Sequence, residues 1–286
     1  MADFWVIGPI AWDRVLRVPH LPSSGGFVQA TEVIERPGGA GANVAIALAS
    51  TGAVAHMVGY VGDDEPGARM RQVLDEAGVD VRWVQTCGDH TSEVLILVEP
   101  TGERSIVGLW PDVLRTVPVP VGEIRAGDVA YFAAWHEEFR PVMQQLADAE
   151  VTVATVPPPH VDPALAAAYL IGSRQQFGDQ DPVGALSGAV PMPRAVVVTE
   201  GAAGVTVHDH DGSVPYPARQ VDVVDTTGAG DAFAAGFLYR VVSGAALAEA
   251  VSTGITWATA AVQEPASIPP TWSQVAGGTR ISPPKR

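Results

Sequence analysis

The chain has 286 residues, and 32 Asp or Glu against 17 Lys or Arg give it a formal net charge of −15 at pH 7. That charge excludes a general binder of nucleic acid or of anionic membranes, because such partners require clustered cations. Hydrophobic residues make up 47% of the chain, which is enough for a large core, and the length fits a single domain over residues 1–286. The sequence shows no targeting segment and predicts a soluble cytoplasmic protein.

Two scarce residue types exclude several kinds of site. The only lysine is Lys285, so the chain has neither a Walker A loop, nor the internal lysine of a protein-kinase core, nor a buried lysine for Schiff-base chemistry. The only cysteine is Cys87, which excludes a disulfide framework within the chain and any cysteine-rich zinc site.

The first half of the chain alternates between short apolar strands and helices, with two interruptions. The alternating elements are a strand at 4–7, a helix at 43–50, a strand at 54–61 and a helix that starts at the acids and proline of 63–66 and continues through 69–77. The interruptions are predicted hairpins over about 14–35 and about 93–109. Since hairpins do not fit the alternation, we expect them to form a small β lid over one end of the main sheet.

The second half continues the alternation and ends in a polar tail. Its predicted elements are a strand at 128–133, a helix at 138–149, a strand at 151–156, a helix at 164–170, strands at 195–199, 205–208 and 213–218, and helices at 228–242 and 245–262. The segment after Pro269 is rich in proline and glycine and predicts a frayed end. Strands that alternate with helices predict a mainly parallel sheet covered by helices on both faces.

A glycine-rich segment at 225–231, Asp-Thr-Thr-Gly-Ala-Gly-Asp, precedes an Ala-rich helix. The amides of Gly228, Ala229 and Gly230 at such a helix start lack intrahelical partners, so they predict an anion hole that needs no lysine. The neighbouring carboxylate of Asp231 would repel an anion unless it had a task. The task that fits is to take the proton from a hydroxyl that attacks phosphorus. The alternative is that Asp231 is only a helix N-cap.

A second glycine-rich segment, at 36–45, reads Arg-Pro-Gly-Gly-Ala-Gly-Ala-Asn-Val-Ala. Gly39 and Gly41 match part of a dinucleotide-binding fingerprint, but a valine stands at 44 where another glycine is expected. The segment also suits a backbone that approaches a polyol closely, with Asn43 hydrogen-bonding its hydroxyls. A third interpretation is a tight turn that Asn43 caps.

Together, the two glycine-rich segments resemble the N- and C-terminal signatures of the ribokinase-like (PfkB) carbohydrate kinases, and the resemblance extends from Gly8 to about Pro269. It implies a three-layer α/β/α sandwich with a mainly parallel sheet and a small β lid. It also implies ATP-dependent phosphorylation of a hydroxymethyl group, with Mg²⁺ and, in many members, a monovalent cation such as K⁺. The partner would be a small sugar or nucleoside, and a homodimer through the lid is left open.

The resemblance assigns roles to individual positions of this sequence. Asp231 would be the catalytic base, with Gly228, Ala229 and Gly230 around the transferred phosphoryl group. The substrate would be held by Asp13, Gly39 and Asn43, and the Asp13 carboxylate can accept from two hydroxyls at once, which suits a diol. Thr199 and Gly201 would lie along the nucleotide, and Asp225, Thr227 and Ser267 would hold the monovalent cation.

Several positions depart from the family pattern. Gln176 stands where the family usually has the glutamate of an Asn-x-x-Glu motif, and a neutral amide is expected to be a weaker partner for Mg²⁺-bound water. Ala40 and Ala11 replace a lysine and an asparagine that ribokinases tend to carry. Near the position of the family's substrate-contacting acid on the fourth strand, this chain has Trp135-His136. These replacements favour a substrate other than ribose.

Three functional hypotheses follow. The first is an ATP-dependent kinase for a sugar or sugar-like substrate, or for a nucleoside. The second is a catalytically weak relative that binds sugar and nucleotide as a sensor, which Gln176 favours and the intact Asp231 opposes. The third is a nicotinamide-dependent enzyme, which the incomplete glycine fingerprint opposes. Trp12 and Trp135 either stack on a substrate ring or belong to the core.

Overall fold

The computed structural model describes residues 2–101, 104–109, 117–159, 165–179, 181–182, 184 and 193–278. Thirteen strands are found in these residues. They are β1 (Phe4–Ile7), β2 (Ala11–Arg17), β3 (Glu32–Gly38), β4 (Ala55–Val61), β5 (Val84–Thr86), β6 (Ser92–Val98), β7 (Arg104–Leu109), β8 (Val129–Phe132), β9 (Thr152–Thr155), β10 (Tyr169–Ser173), β11 (Ala195–Thr199), β12 (Val205–Asp209) and β13 (Gly212–Tyr216).

Nine of the strands form the main sheet, in the order β13-β12-β11-β10-β9-β8-β1-β4-β5. Every pair from β11 to β5 is parallel, whereas β11–β12 and β12–β13 are antiparallel. Parallel strands all end at the same edge of a sheet, and the loops that follow them at this edge form the usual ligand site of an open α/β sheet.

Helices cover both faces of the main sheet. They are α1 (Ala40–Ala49), α2 (Glu65–Glu76), α3 (Arg140–Asp148), α4 (Arg174–Phe177), α5 (Ala229–Val242), α6 (Leu247–Ala261) and α7 (Trp272–Gly278). Along β1, Phe4 and Val6 belong to the core under α1, α2, α5 and α6, and Trp5 and Ile7 to the core under α3, because successive side chains of a strand point to opposite faces. The predicted α/β sandwich is therefore confirmed.

The remaining four strands form a smaller sheet in the order β3-β2-β6-β7. Strands β2 and β3 pair antiparallel, as do β6 and β7, while the central pair β2–β6 is parallel. Its strands overlap the two segments in which the sequence predicts hairpins. Asp13 pairs with Arg36 across β2 and β3, so this sheet brings both residues to one place.

Two predictions of local structure are wrong. The helix expected at 164–170 is not present: residue 164 lies outside the described residues, 165–168 are irregular, and Tyr169 and Leu170 begin β10 between β9 and β11. The segment after Pro269 is not simply frayed, because α7 occupies 272–278 and Trp272 packs on Trp257 and Tyr239. None of the helices in the described part of the chain is long and apolar enough to span a bilayer.

Candidate active site

The glycine-rich segment at 225–231 forms the N-terminus of α5. Gly228 is the N-cap and has φ 76°, in the left-handed region that glycine adopts without strain. A side chain at this position would also collide with the carbonyl oxygen of Ser267. The amides of Gly230 and Asp231 donate to no acceptor in the described residues, and nothing lies within 4 Å of the place where a side chain of Gly230 would begin. The helix start therefore presents free amides of the kind that can bind an anion.

Asp231 lies half-buried beside these amides. Its Oδ2 accepts a hydrogen bond from Asn43 Nδ2 at 2.7 Å. Burial raises the pKa of the Asp231 carboxyl to about 7; the Asn43 bond opposes this rise, the negative charge of Asp13 adds to it and the positive charge of Arg104 reduces it. A carboxyl with a pKa near neutrality is suited to accept a proton from a hydroxyl.

A cavity of about 760 Å³ extends from this helix start along the ends of the parallel strands. That volume is typical of a pocket for a small organic ligand. Of the predicted site residues, its lining includes Gln176, Thr199, Gly201, Gly228, Ala229, Gly230 and Asp231. Thr199 ends β11, and Gly201 starts the short 3₁₀ turn after it. The structure thus brings the residues expected at the nucleotide and at the phosphoryl group into one cavity.

The residues expected to hold the substrate lie beside Asp231 but outside the lining of this cavity. Asp13 on β2 is 4% exposed, and Ser267 Oγ donates to its Oδ2 at 2.7 Å. Burial raises the pKa of Asp13. Asn43 is also buried, and its Oδ1 has no hydrogen-bond partner among the described residues. Gly39, with φ 95°, begins α1 so close to Pro9 and Ala11 that a side chain would collide with their backbone.

Two arginines that the sequence motifs do not single out reach this site from the smaller sheet. Arg36 Nη1 donates to Asp225 Oδ2 at 3.0 Å and to the carbonyl of Pro265 at 3.3 Å. Arg104 Nη1 donates to Thr227 Oγ1 at 3.0 Å. Arg36 is the first residue of the second glycine-rich segment, and Arg104 starts the last strand of a predicted hairpin. Their positions could thus be noticed in the sequence, but their partners depend on the tertiary fold.

The three residues expected to hold a monovalent cation therefore all have other partners. Asp225 Oδ1 accepts from the Thr227 amide at 2.8 Å, and Oδ2 pairs with Arg36. Burial alone would raise the pKa of Asp225, but the bonds from Thr227 and Arg36 outweigh it and hold that pKa below the ordinary value. Ser267 Oγ is directed at Asp13. This donor set does not fit a bound monovalent cation.

Gln176 lies in the cavity wall and closes the first turn of α4. Its side-chain Oε1 accepts from the backbone amide of Ser173 at 2.8 Å, and its backbone amide donates to Ser173 Oγ at 3.2 Å. The two bonds together make a capping box. The amide oxygen expected to face the water of Mg²⁺ already has one backbone donor. Asp231 is the only carboxylate among the described residues that line the cavity, and so sparse a set fits an Mg²⁺ ion that arrives on the phosphates of a nucleotide.

The two tryptophans belong to packing clusters. Trp12 is 8% exposed and is part of the core on the α1 side of the sheet, with the Arg69 guanidinium over its ring. Trp135 packs against the opposite core, with Arg140 over its ring. Neither ring contributes to the lining of the cavity, and the burial of Trp12 within the core cluster favours the core interpretation for this residue.

The chain matches the sequence profile of the pfkB family carbohydrate kinases over residues 1–162 and 179–274. It belongs to this family. It is 34% identical over 247 residues to the ATP-dependent ribose-1-phosphate kinase of Halopiger xanaduensis, with 81% of this chain and 82% of the relative covered. It is 30% identical over 286 residues to the aminoimidazole riboside kinase of Salmonella typhimurium, with 88% and 86% covered.

A crystal structure of a ribokinase from Thermotoga maritima superposes with a TM-score of 0.83 at 21% identity and covers 97% of this chain and 99% of that one. This likeness confirms the fold. Membership of the pfkB family makes the chain an ATP-dependent kinase that acts on a sugar or a nucleoside. The nicotinamide-enzyme hypothesis is therefore wrong.

Proposed function

We propose that this pfkB kinase transfers the γ-phosphoryl group of ATP to a hydroxymethyl group of a sugar or sugar-like substrate, with Asp231 as the base. The observation that carries the proposal is the position of Asp231: a carboxyl with a pKa of about 7, one residue from the free amide of Gly230 and in the lining of a cavity of nucleotide size. The alternative that Asp231 is only a helix N-cap fails, because Gly228 is the N-cap of α5 and Asp231 lies inside the first turn.

The reaction follows from this arrangement. The substrate hydroxyl donates its proton to a carboxylate oxygen of Asp231 as its own oxygen bonds to the γ-phosphorus, and the bond to the β-phosphate oxygen breaks to release ADP. The amides of Gly228 and Gly230, at the positive end of α5, stabilise the negative charge on the transferred group. The amide of Ala229, which the sequence also assigns to the anion hole, donates to the Thr226 carbonyl at 3.4 Å and would have to exchange this weak bond for the phosphoryl group. Bound Mg²⁺ supplies further charge neutralisation on the phosphates. Thr199 and Gly201 border the rest of the nucleotide.

The substrate is proposed to be a pentose derivative other than free ribose. Asp13 accepts from a diol, and the unpartnered Oδ1 of Asn43 accepts from another hydroxyl. Ala11 and Ala40 offer no polar side chain to the sugar. The names of the two relatives describe riboses that carry a phosphate or a heterocycle on the anomeric carbon, so we favour substrates substituted there, and a nucleoside is the second candidate.

The test is ADP release from ATP with ribose, fructose, ribose 1-phosphate and a set of nucleosides as acceptors. We expect the highest kcat/KM with an acceptor that is substituted at its anomeric carbon, and no release with Asp231→Asn. Highest kcat/KM with free ribose would overturn the substrate proposal. No acceptor-dependent ADP release from any compound would support the sensor hypothesis instead.

A further inference from the structure

Each side-chain oxygen at the expected monovalent-cation site is already bound within the protein. Asp225 has Thr227 on one oxygen and Arg36 on the other, Thr227 has Arg104, and Ser267 has Asp13. A monovalent cation bound to Asp225 would therefore lie close to the Arg36 guanidinium, and two like charges at such a distance repel each other strongly. The site carries positive charge without an ion.

Arg36 makes the contacts that a cation at this place would make. One nitrogen, Nη1, joins the carboxylate of Asp225 to the carbonyl of Pro265. Asp225 belongs to the loop that leads into α5. Pro265 lies two residues before Ser267, whose carbonyl oxygen lies next to Gly228. The guanidinium thereby ties together the two segments that shape the anion hole.

The burial of Arg36 indicates a structural task for its charge. Its side chain is 11% exposed, and Nε and Nη2 are buried without a hydrogen-bond partner among the described residues. Burying a guanidinium with unsatisfied donors is costly unless an ion pair offsets it. Arg36 is held there by β3, which pairs with β2 at Asp13, so the sheet that carries the substrate residue Asp13 also delivers this charge.

We propose that the Arg36 guanidinium takes the place of the monovalent cation in this kinase, so that neither its stability nor its activity requires K⁺. The part that concerns activity rests on the proposed function, whereas the part that concerns stability does not. Arg36 acts as a positioning residue, because it holds the loops around the anion hole and does not itself line the cavity.

The test compares KCl with tetramethylammonium chloride at equal ionic strength, by melting temperature and by initial rate. For the wild type we expect both readouts to be the same in the two salts, with any difference in rate below about twofold, as general screening predicts. Arg36→Ala uncovers Asp225 Oδ2 and the Pro265 carbonyl. In tetramethylammonium chloride we expect this variant to melt at a lower temperature than the wild type. We expect K⁺ to raise the melting temperature of the variant and to increase its rate by about tenfold or more, since a bound ion stabilises the state that binds it.

Arg14→Ala is the matched control, because Arg14 lies beside Asp13 on the same strand but pairs at the exposed surface with Glu35. It should acquire no K⁺ effect. A wild-type melting temperature that rises specifically with K⁺ would overturn the proposal, as would an Arg36→Ala variant that folds but does not respond to K⁺. If Arg36→Ala does not fold, Arg36→Lys is measured instead. We expect this variant not to respond to K⁺, and activation of it by K⁺ would contradict the proposal. The melting-temperature comparison does not require enzymatic turnover. It therefore tests the role of Arg36 even if the proposed function is wrong.

Discussion

Asp231→Asn is expected to abolish turnover and to stabilise the fold in a pH-dependent way. The pKa of Asp231 is raised from 3.8 to about 7 in the folded state, so ionising it in place is unfavourable. Each pH unit between the unfolded and folded pKa values corresponds to about 1.4 kcal/mol, so above pH 7 the ceiling of this cost is about 4 kcal/mol. Because the side chain keeps contact with the water of the cavity, we expect about 1–3 kcal/mol of it to be realised.

The sign of the pH dependence follows from the two protonation states. Below the unfolded pKa of 3.8 the carboxyl is neutral in both states and costs nothing. As the pH rises from there to about 7, the unfolded chain loses the proton and the folded chain keeps it, so wild-type stability falls. An asparagine at 231 does not titrate, so the variant does not lose stability in this pH range. Its side-chain oxygen can still accept the hydrogen bond from Asn43.

Urea unfolding of both proteins at about pH 5 and about pH 8 measures this effect. The stability gained by Asp231→Asn should be larger at the higher pH by about 0.5–2 kcal/mol, since only part of the total cost accrues between these two pH values, while kcat falls by about 10²–10⁴-fold or more. Asp75→Asn on the exposed face of α2 removes a carboxylate without burial and should show no such trend. Equal gains at the two pH values would refute the reasoning about a raised pKa, and near-wild-type kcat would refute the role of base.

Three further substitutions test the surroundings of Asp231. Asp13→Ala should raise the KM of the sugar by about 10–100-fold, the value of one hydrogen bond to a charged group, and leave ATP affinity nearly unchanged by calorimetry; equal losses in both affinities would argue against a substrate contact of Asp13. Gln176→Glu keeps the capping box and adds a free carboxylate oxygen for Mg²⁺-bound water, so less Mg²⁺ should give the half-maximal rate, with Gln175→Glu as control and overlaid curves as the contrary result. Arg104→Gln removes a charge that lowers the pKa of Asp231, so the pH–rate curve should move to higher pH; an unmoved curve would contradict that coupling.

The sequence predicts the main sheet well because its strands carry their own signal. Ala195–Thr199 is a continuous apolar run, as burial on both faces requires, and the two hairpin segments have clear turn residues. The prediction fails at 164–170 because an Ala-rich segment favours helix locally, while Tyr169 and Leu170 gain more from pairing and burial between β9 and β11. Position in the sheet overrides local preference there.

Part of the candidate site can also be predicted from the sequence, and part of it depends on the tertiary fold. Asp231 and the amides before it follow from a continuous motif, since helix geometry places the proposed base beside the proposed anion hole. The partners of Arg36 and Arg104 could not be predicted, because their sequence separations from Asp225 and Thr227 are 189 and 123 residues. The position of the smaller sheet determines both contacts, and with them the proposed replacement of the cation by Arg36.

The pH dependence of kcat/KM for the sugar tests the central claim about Asp231 most directly, because this ratio reports ionisations of the free enzyme and substrate. Measured between about pH 5 and about pH 9 with a sugar that does not titrate, it should rise with pH about tenfold per unit and level off near the Asp231 pKa of about 7. A profile that is already flat from about pH 5 upward, as a carboxylate with an ordinary pKa would give, would contradict the account.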